Sequence, residues 1–190
     1  MKKYVLKYRA TIIVGIVLFA LLVFTMYQFY GGAKNAAERV MANDIDQVVK
    51  ILEQIDATCE IVNIVRDDAA IDFLQVQAFA GSQIGALQLK YPEKWKGPYL
   101  QRNLMVQGIP YELIQTREGF YVIPGKGVRL SNGKIVGKDI IFTRETDVEL
   151  YLNAIWGLEV DGEPLARKLN LKHILTKSFA PSTSSSIDAV

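Results

Sequence analysis

The sequence predicts an α+β protein: an N-terminal transmembrane helix running on into an amphipathic helix, packed on a small antiparallel sheet, with a C-terminal helical extension. Three observations predict it. A basic head is followed by an uncharged apolar run. An apolar stripe at helical spacing comes next. Beyond Tyr91, short strand-like runs alternate with strong turn signals.

The head, residues 1–10, carries Lys2, Lys3, Lys7 and Arg9. The apolar run, Thr11 to Tyr30, has 20 residues and no charge. At about 1.5 Å per residue it reaches ~30 Å, one bilayer core. The head holds four of the 22 Lys and Arg and none of the 20 Asp and Glu, so residues 31–190 carry 18 basic against 20 acidic groups. A slightly acidic domain gives no electrostatic basis for nucleic-acid binding. The pI near 8.5 belongs to the head. Positive charge ahead of the apolar run places the N-terminus in the cytoplasm and the domain outside. Tyr27, Phe29 and Tyr30 fit an interfacial aromatic belt. A cleaved secretory signal is the rival reading, with only a weak cleavage site near Ala33.

Gly31-Gly32 mark a flexible joint. Ala37, Met41, Ile45, Val48, Leu52, Ile55 and Cys59 then recur at steps of four and three, one apolar stripe. The other face carries Glu38, Arg39, Asp44, Asp46, Lys50, Glu53 and Asp56. If the glycines only bend the chain, run and stripe make one helix of about 70 Å. Arg66-Asp67-Asp68 reads as a turn, and Ala69 to Ala80 as a second helical piece. Ile84 to Leu89 reads as a short helical turn. Strands are expected at Tyr111 to Thr116, Phe120 to Ile123, Val128 to Ser131, Lys134 to Val136 and Asp139 to Thr143, with Asn132-Gly133 as a hairpin turn. Together they form an antiparallel meander that closes a domain over residues 31–143. In the extension, residues 144–180, Thr146-x-x-Glu149 resembles a capping box opening a helix to Trp156 that Gly157 stops. Asp161-Gly162 is a turn, and Pro164 opens a short helix through Leu169. Residues 181–190 are Ser-rich and read as a disordered tail.

No catalytic constellation stands out, and no enzymatic activity, cofactor or metal is expected. His173 is the only histidine and lies in a Leu-rich stretch, so it reads as structural. Cys59, the only cysteine, sits on the stripe and reads as a buried small hydrophobe. The run from Gly127 to Lys134 fails as a phosphate loop: its glycines are too far apart, and Ile135 stands where Ser or Thr is needed. Lys126, Arg129, Lys134 and Lys138 form a basic set, either strand-edge lysines or a docking patch for an acidic partner.

A resemblance enters with three segments: Ile84-Gly85-Ala86-Leu87, then Trp95-Lys96-Gly97-Pro98-Tyr99-Leu100, then Gly108-Ile109-Pro110-Tyr111. With the long N-terminal helix ahead of them, they resemble the type IV pilin and pseudopilin family, most specifically the major pseudopilin of type II secretion. The similarity covers about residues 4–141. The family has a Gly-Leu-x-x-Leu helix, a W-x-G-P-Y-L segment, complete here, and a D-P-W-G-N-P-Y segment, kept here as its Gly and its Pro-Tyr. The resemblance implies structural roles for Gly85, Leu87, Trp95, Gly97, Pro98, Tyr99, Leu100, Gly108, Pro110 and Tyr111, in which the bend is pinned on the helix by aromatic area. The chain departs from the family in three places. No Gly precedes Thr11 and no carboxylate lies between Met1 and Tyr30, where the family has its leader site and its Glu. The Gly- and Asp-rich calcium loop has no match after Phe120. Residues 144–190 run past the family's usual end.

The expectation is a pseudopilin-like membrane-anchored component of a bacterial type II secretion or pilus-type assembly, serving protein transport by subunit packing. Its partners would be the lipid bilayer and other pilin-like subunits or secretion-system membrane proteins, with no nucleic acid. It would be a single-pass protein of the bacterial inner membrane, its domain periplasmic or extracellular. The alternative is a static bitopic scaffold that reuses the pilin fold.

Overall fold

In the computed structural model, which describes residues 2–152, 158–160 and 163–174, one helix dominates. Side chains are described from Thr11 to Tyr27 and again from Ala36. Helix α1 (Lys2–Cys59) has 58 residues, about 87 Å at the usual rise. No proline occurs before Pro92, so nothing removes a helical hydrogen bond along this length. The helix passes through Gly31 and Gly32 unbroken. Two glycines cost only ~2 kcal/mol relative to alanine, too little to interrupt a helix with a docked second half. The helix ends at Glu60, which turns left-handed (φ 52°). Asp56 accepts from the Ile61 amide at 3.0 Å and so seals the terminus.

Among the described residues, no helical stretch is long and apolar enough to cross a membrane. The apolar side chains described are residues 11–27, 17 of the 20 in the expected span. They cover ~26 Å against a core of ~30 Å. The side chains of residues 28–30 lie outside the described set.

Two sheets follow. β1 (Ile61–Ile64), β3 (Gln83–Ile84) and β4 (Leu87–Leu89) form one, in the order β1-β4-β3. The larger sheet contains β2 (Asp68–Ala70), β7 (Glu112–Thr116), β8 (Gly119–Ile123) and β11 (Arg167–Lys168), ordered β11-β8-β7-β2. All of its pairings are antiparallel. Two ribbons complete the set: β5 (Met105–Val106) with β6 (Ile109–Pro110), and β9 (Glu159–Val160) with β10 (Glu163–Pro164). Leu113 faces Val122 and Ile114 faces Tyr121 across the central hairpin. Alternation then sends the two sets of side chains to two cores. Leu113, Phe120 and Val122 pack with Ile45, Val48, Leu52, Ile55 and Cys59 of α1. Ile114, Tyr121 and Ile123 pack on the opposite face, under Val128, Leu130, Val136, Ile140, Val148 and Leu165. The sheet is thus sandwiched between the helix and a layer built from the chain after Val128.

The α+β class with antiparallel sheets is what the patterning predicts. Several local expectations are not met. Residues 69–80 are not helical: Ala69 pairs with Leu113 in β2, and the Ile71 amide bonds the Tyr111 carbonyl at 2.8 Å. Ile71 and Leu74 are buried, but from successive turns and not from one helical face. Residues 84–89 form the β3–β4 hairpin about Gly85 (φ 54°) and not a helical turn. The 128–136 hairpin is present as a single Arg129–Ile135 bridge, and the strand expected at 139–143 reduces to a Val136–Ile140 bridge.

Of the two helices expected in the C-terminal extension, the first is present over its described residues and the second is not. Helix α2 (Val148–Leu152) has five described residues. The rest of that expected helix, with Gly157, falls outside the described residues. Thr146 turns back to accept from the Thr143 amide at 2.8 Å, so Asp147 supplies the cap contact to Leu150 at 3.3 Å. The short helix expected from Pro164 is instead β10 and β11. The Asp161-Gly162 turn, residues 175–180 and the tail 181–190 lie outside the described residues.

Candidate functional site

The surface most in need of explanation is the free half of α1. Every described side chain from Thr11 to Tyr27 is exposed. Phe19 is 70% exposed and Tyr27 80%. On a soluble surface this run would leave an apolar rod in water, far beyond the isolated apolar residues that proteins tolerate. The docked half behaves oppositely: of the predicted stripe, Met41, Ile45, Val48, Leu52, Ile55 and Cys59 are all buried, and only Ala37 stays exposed.

The polar face of the docked half also turns out to be a contact face. Glu38 and Asp56 are buried, at 3% and 2% exposure. Glu38 accepts from the Ser131 amide at 2.7 Å. Tyr111 donates to Asp44 at 3.1 Å. Burial, with the Asp44 charge added, pushes the Tyr111 phenol well above its ordinary range. Arg167 donates to Asp46 at 2.8 Å, and the Asn170 amide to Glu53 at 3.2 Å. The Lys172 amide reaches Asp56 at 2.7 Å. Periodicity reports which side chains are apolar; it carries no record of backbone amides arriving from 90 or more residues away.

The residues of the first two of the three segments lie near the end of α1, and the third lies farther back, where Tyr111 meets Asp44. Gly85 lies against Phe73, where an added Cβ would meet the ring at 2.2 Å. Leu87 is buried. Trp95 donates to the Val76 carbonyl at 3.1 Å and sits edge-on between Phe79 and Tyr99. Gly97, joined to Pro98 by a cis peptide, leaves no room for a Cβ beside the Val76 carbonyl. The Tyr99 and Leu100 amides both bond the Leu74 carbonyl, at 2.9 and 3.2 Å. The loop thus docks on residues 73–79 as well as on the helix. Gly108 (φ 77°) turns the β5–β6 ribbon, Pro110 closes it, and Tyr111 is buried.

Two further places carry charge. His173 Nδ1 lies 3.3 Å from Asp56, on the C-terminal strap, residues 163–174, that Arg167, Asn170 and Lys172 fasten to α1. Asp67 and Asp68 pair with Arg144 and Lys126 on the rim of a cleft of about 570 Å³, which Glu112 and Ile141 also line. The Lys126 ammonium holds the Asp68 carboxyl below the usual carboxylate range. One Glu112 oxygen accepts from the Lys126 amide at 3.0 Å. Among the described residues, His, Cys, Asp and Glu nowhere gather into a group that would hold a metal ion. Cys59 is fully buried.

No protein-family model, curated protein or solved structure matches this chain.

Proposed function

We propose that the protein is a membrane-anchored, pseudopilin-like component of a secretion or pilus-type assembly that works by packing against its neighbours. One observation carries the reading. A single continuous helix has an apolar half whose described side chains, Thr11 to Tyr27, are all exposed, and a second half built into the core of a domain. Such a helix transmits position rigidly from the bilayer to the domain. Residues 28–30 complete a run of bilayer length in the sequence. The basic head orients the domain to the far side of the inner membrane. The W-K-G-P-Y-L loop, docked near the top of the stalk, supports the family likeness.

The alternative, a static bitopic scaffold, is favoured by the lack of any carboxylate from Met1 to Tyr30. Cysteine crosslinking of neighbours separates the two. With Phe19→Cys in the native membrane, oxidation yields disulfide-linked dimers if apolar halves pack side by side. Membrane-retained monomers alone would favour the scaffold. Cys59, buried, does not compete.

A further inference from the structure

We propose that the tip of the hairpin at 128–136 is a self-modifying site: Asn132 deamidates through the Gly133 backbone nitrogen, at a rate set by the contacts that hold the hairpin on α1. The inference stands apart from the membrane-anchored reading and does not need it. No other asparagine in the chain is followed by glycine. Asn132 and Gly133 are both exposed, so water and base reach them. Glycine also leaves the attacking nitrogen without a neighbouring side chain to shield it.

The loop both prepares the reaction and gates it. Leu130 accepts from the Gly133 amide at 2.9 Å and donates to the Lys134 carbonyl at 2.8 Å. Ser131, Asn132 and Gly133 (φ 85°) thus make a three-residue hairpin loop. Asn132 Oδ1 accepts from the Lys134 amide at 3.0 Å. Attack at Cγ builds negative charge on that oxygen, and an amide already aimed at it stabilises the charge. The gate is the Leu130 carbonyl, which holds the N–H of the attacking nitrogen, so attack requires local opening of the loop. Two clamps resist that opening. The buried Glu38 carboxylate accepts from the Ser131 amide at 2.7 Å. Gln107 accepts from the Arg129 amide at 3.0 Å and donates to the Arg129 carbonyl at 2.7 Å.

In the reaction, base takes the Gly133 N–H proton and the nitrogen bonds to Cγ of Asn132. The proton is returned to the side-chain nitrogen, which leaves as ammonia, and a cyclic imide remains. Water then adds to one imide carbonyl and breaks its C–N bond, giving aspartate or isoaspartate. No electrons change hands. The product places a new carboxylate beside the Glu38 clamp, and the isoaspartyl form adds a methylene to the backbone. Either change weakens the Ser131 tie to α1.

The test incubates the full chain in detergent micelles at mildly alkaline pH, folded and unfolded in guanidinium, and follows each asparagine by peptide mass mapping and isoaspartyl methyl transfer. Asn132 should convert before any other asparagine, roughly tenfold more slowly in the folded chain than in the unfolded one. Glu38→Gln and Gln107→Ala, each with native near-UV circular dichroism, should remove most of that protection, and Asn132→Gln should abolish modification at the tip. In the aged chain the Ser131 amide should exchange hydrogen faster. Earlier conversion of another asparagine overturns the proposal. So does a folded-chain rate at Asn132 that neither clamp variant changes.

Discussion

Asp56 receives the Ile61 amide, which closes α1, and the Lys172 amide, which fastens the C-terminal strap. A buried carboxylate with two such donors is strongly held, and removing it strands both. Asp56→Ala should cost about 3 kcal/mol in urea unfolding, and Asp56→Asn roughly half of that, because one acceptor oxygen remains. Tyr111 makes a separate pH prediction. Its folded pKa is raised above the ordinary value of 10.0, so the native state keeps a phenol proton that the unfolded chain loses. The stabilisation is complete below about pH 10 and drains away as the pH rises toward the folded pKa. Urea midpoints between pH 8 and 11 should fall with pH, and Tyr111→Phe should flatten that fall. These contacts were not legible in the sequence. Asp56 was readable as polar, but its partners lie at positions 61 and 172, and no spacing rule links them.

At the scale of elements, β7 and β8 were legible because β-rich runs flank Arg117-Glu118-Gly119. The unbroken apolar sequence Phe120-Tyr121-Val122-Ile123 also signals a strand covered on both faces. What covers its outer face was not legible. Residues 164–169 look helical by the Pro164 signal, yet Leu165 and Leu169 fill two different cores and β11 extends the sheet. Tertiary packing overrides that local signal. The loop at 95–100 was readable as a bend, and its constraint is sharp. Gly97→Ala forces a Cβ to 2.2 Å from the Val76 carbonyl and should cost about 1–3 kcal/mol, read as a lowered urea midpoint. Arg167 ties the strap to Asp46 across a partly exposed pair. Arg167→Ala should cost no more than about 1 kcal/mol globally. It should speed hydrogen exchange at the Leu169 amide, which bonds the Phe120 carbonyl at 2.8 Å.

On the scale of the whole molecule, the amphipathic stripe of α1 was legible and is buried from Met41 to Cys59. The continuity of the helix was open, since Gly31-Gly32 read as a joint. Docking of the second half holds the helix over that pair. The molecule is therefore a long helix with a domain clasped to its second half and exposed apolar side chains, from Ile12 to Tyr27, along its first. The most direct measurement is extraction of native membranes with alkaline carbonate, comparing the full chain with a Val17→Asp/Leu21→Asp variant. The account predicts that the full chain stays in the membrane pellet and that the variant, its domain still folded, is released. Release of the full chain itself would contradict the account, because its apolar half would then be covered by protein and not by lipid.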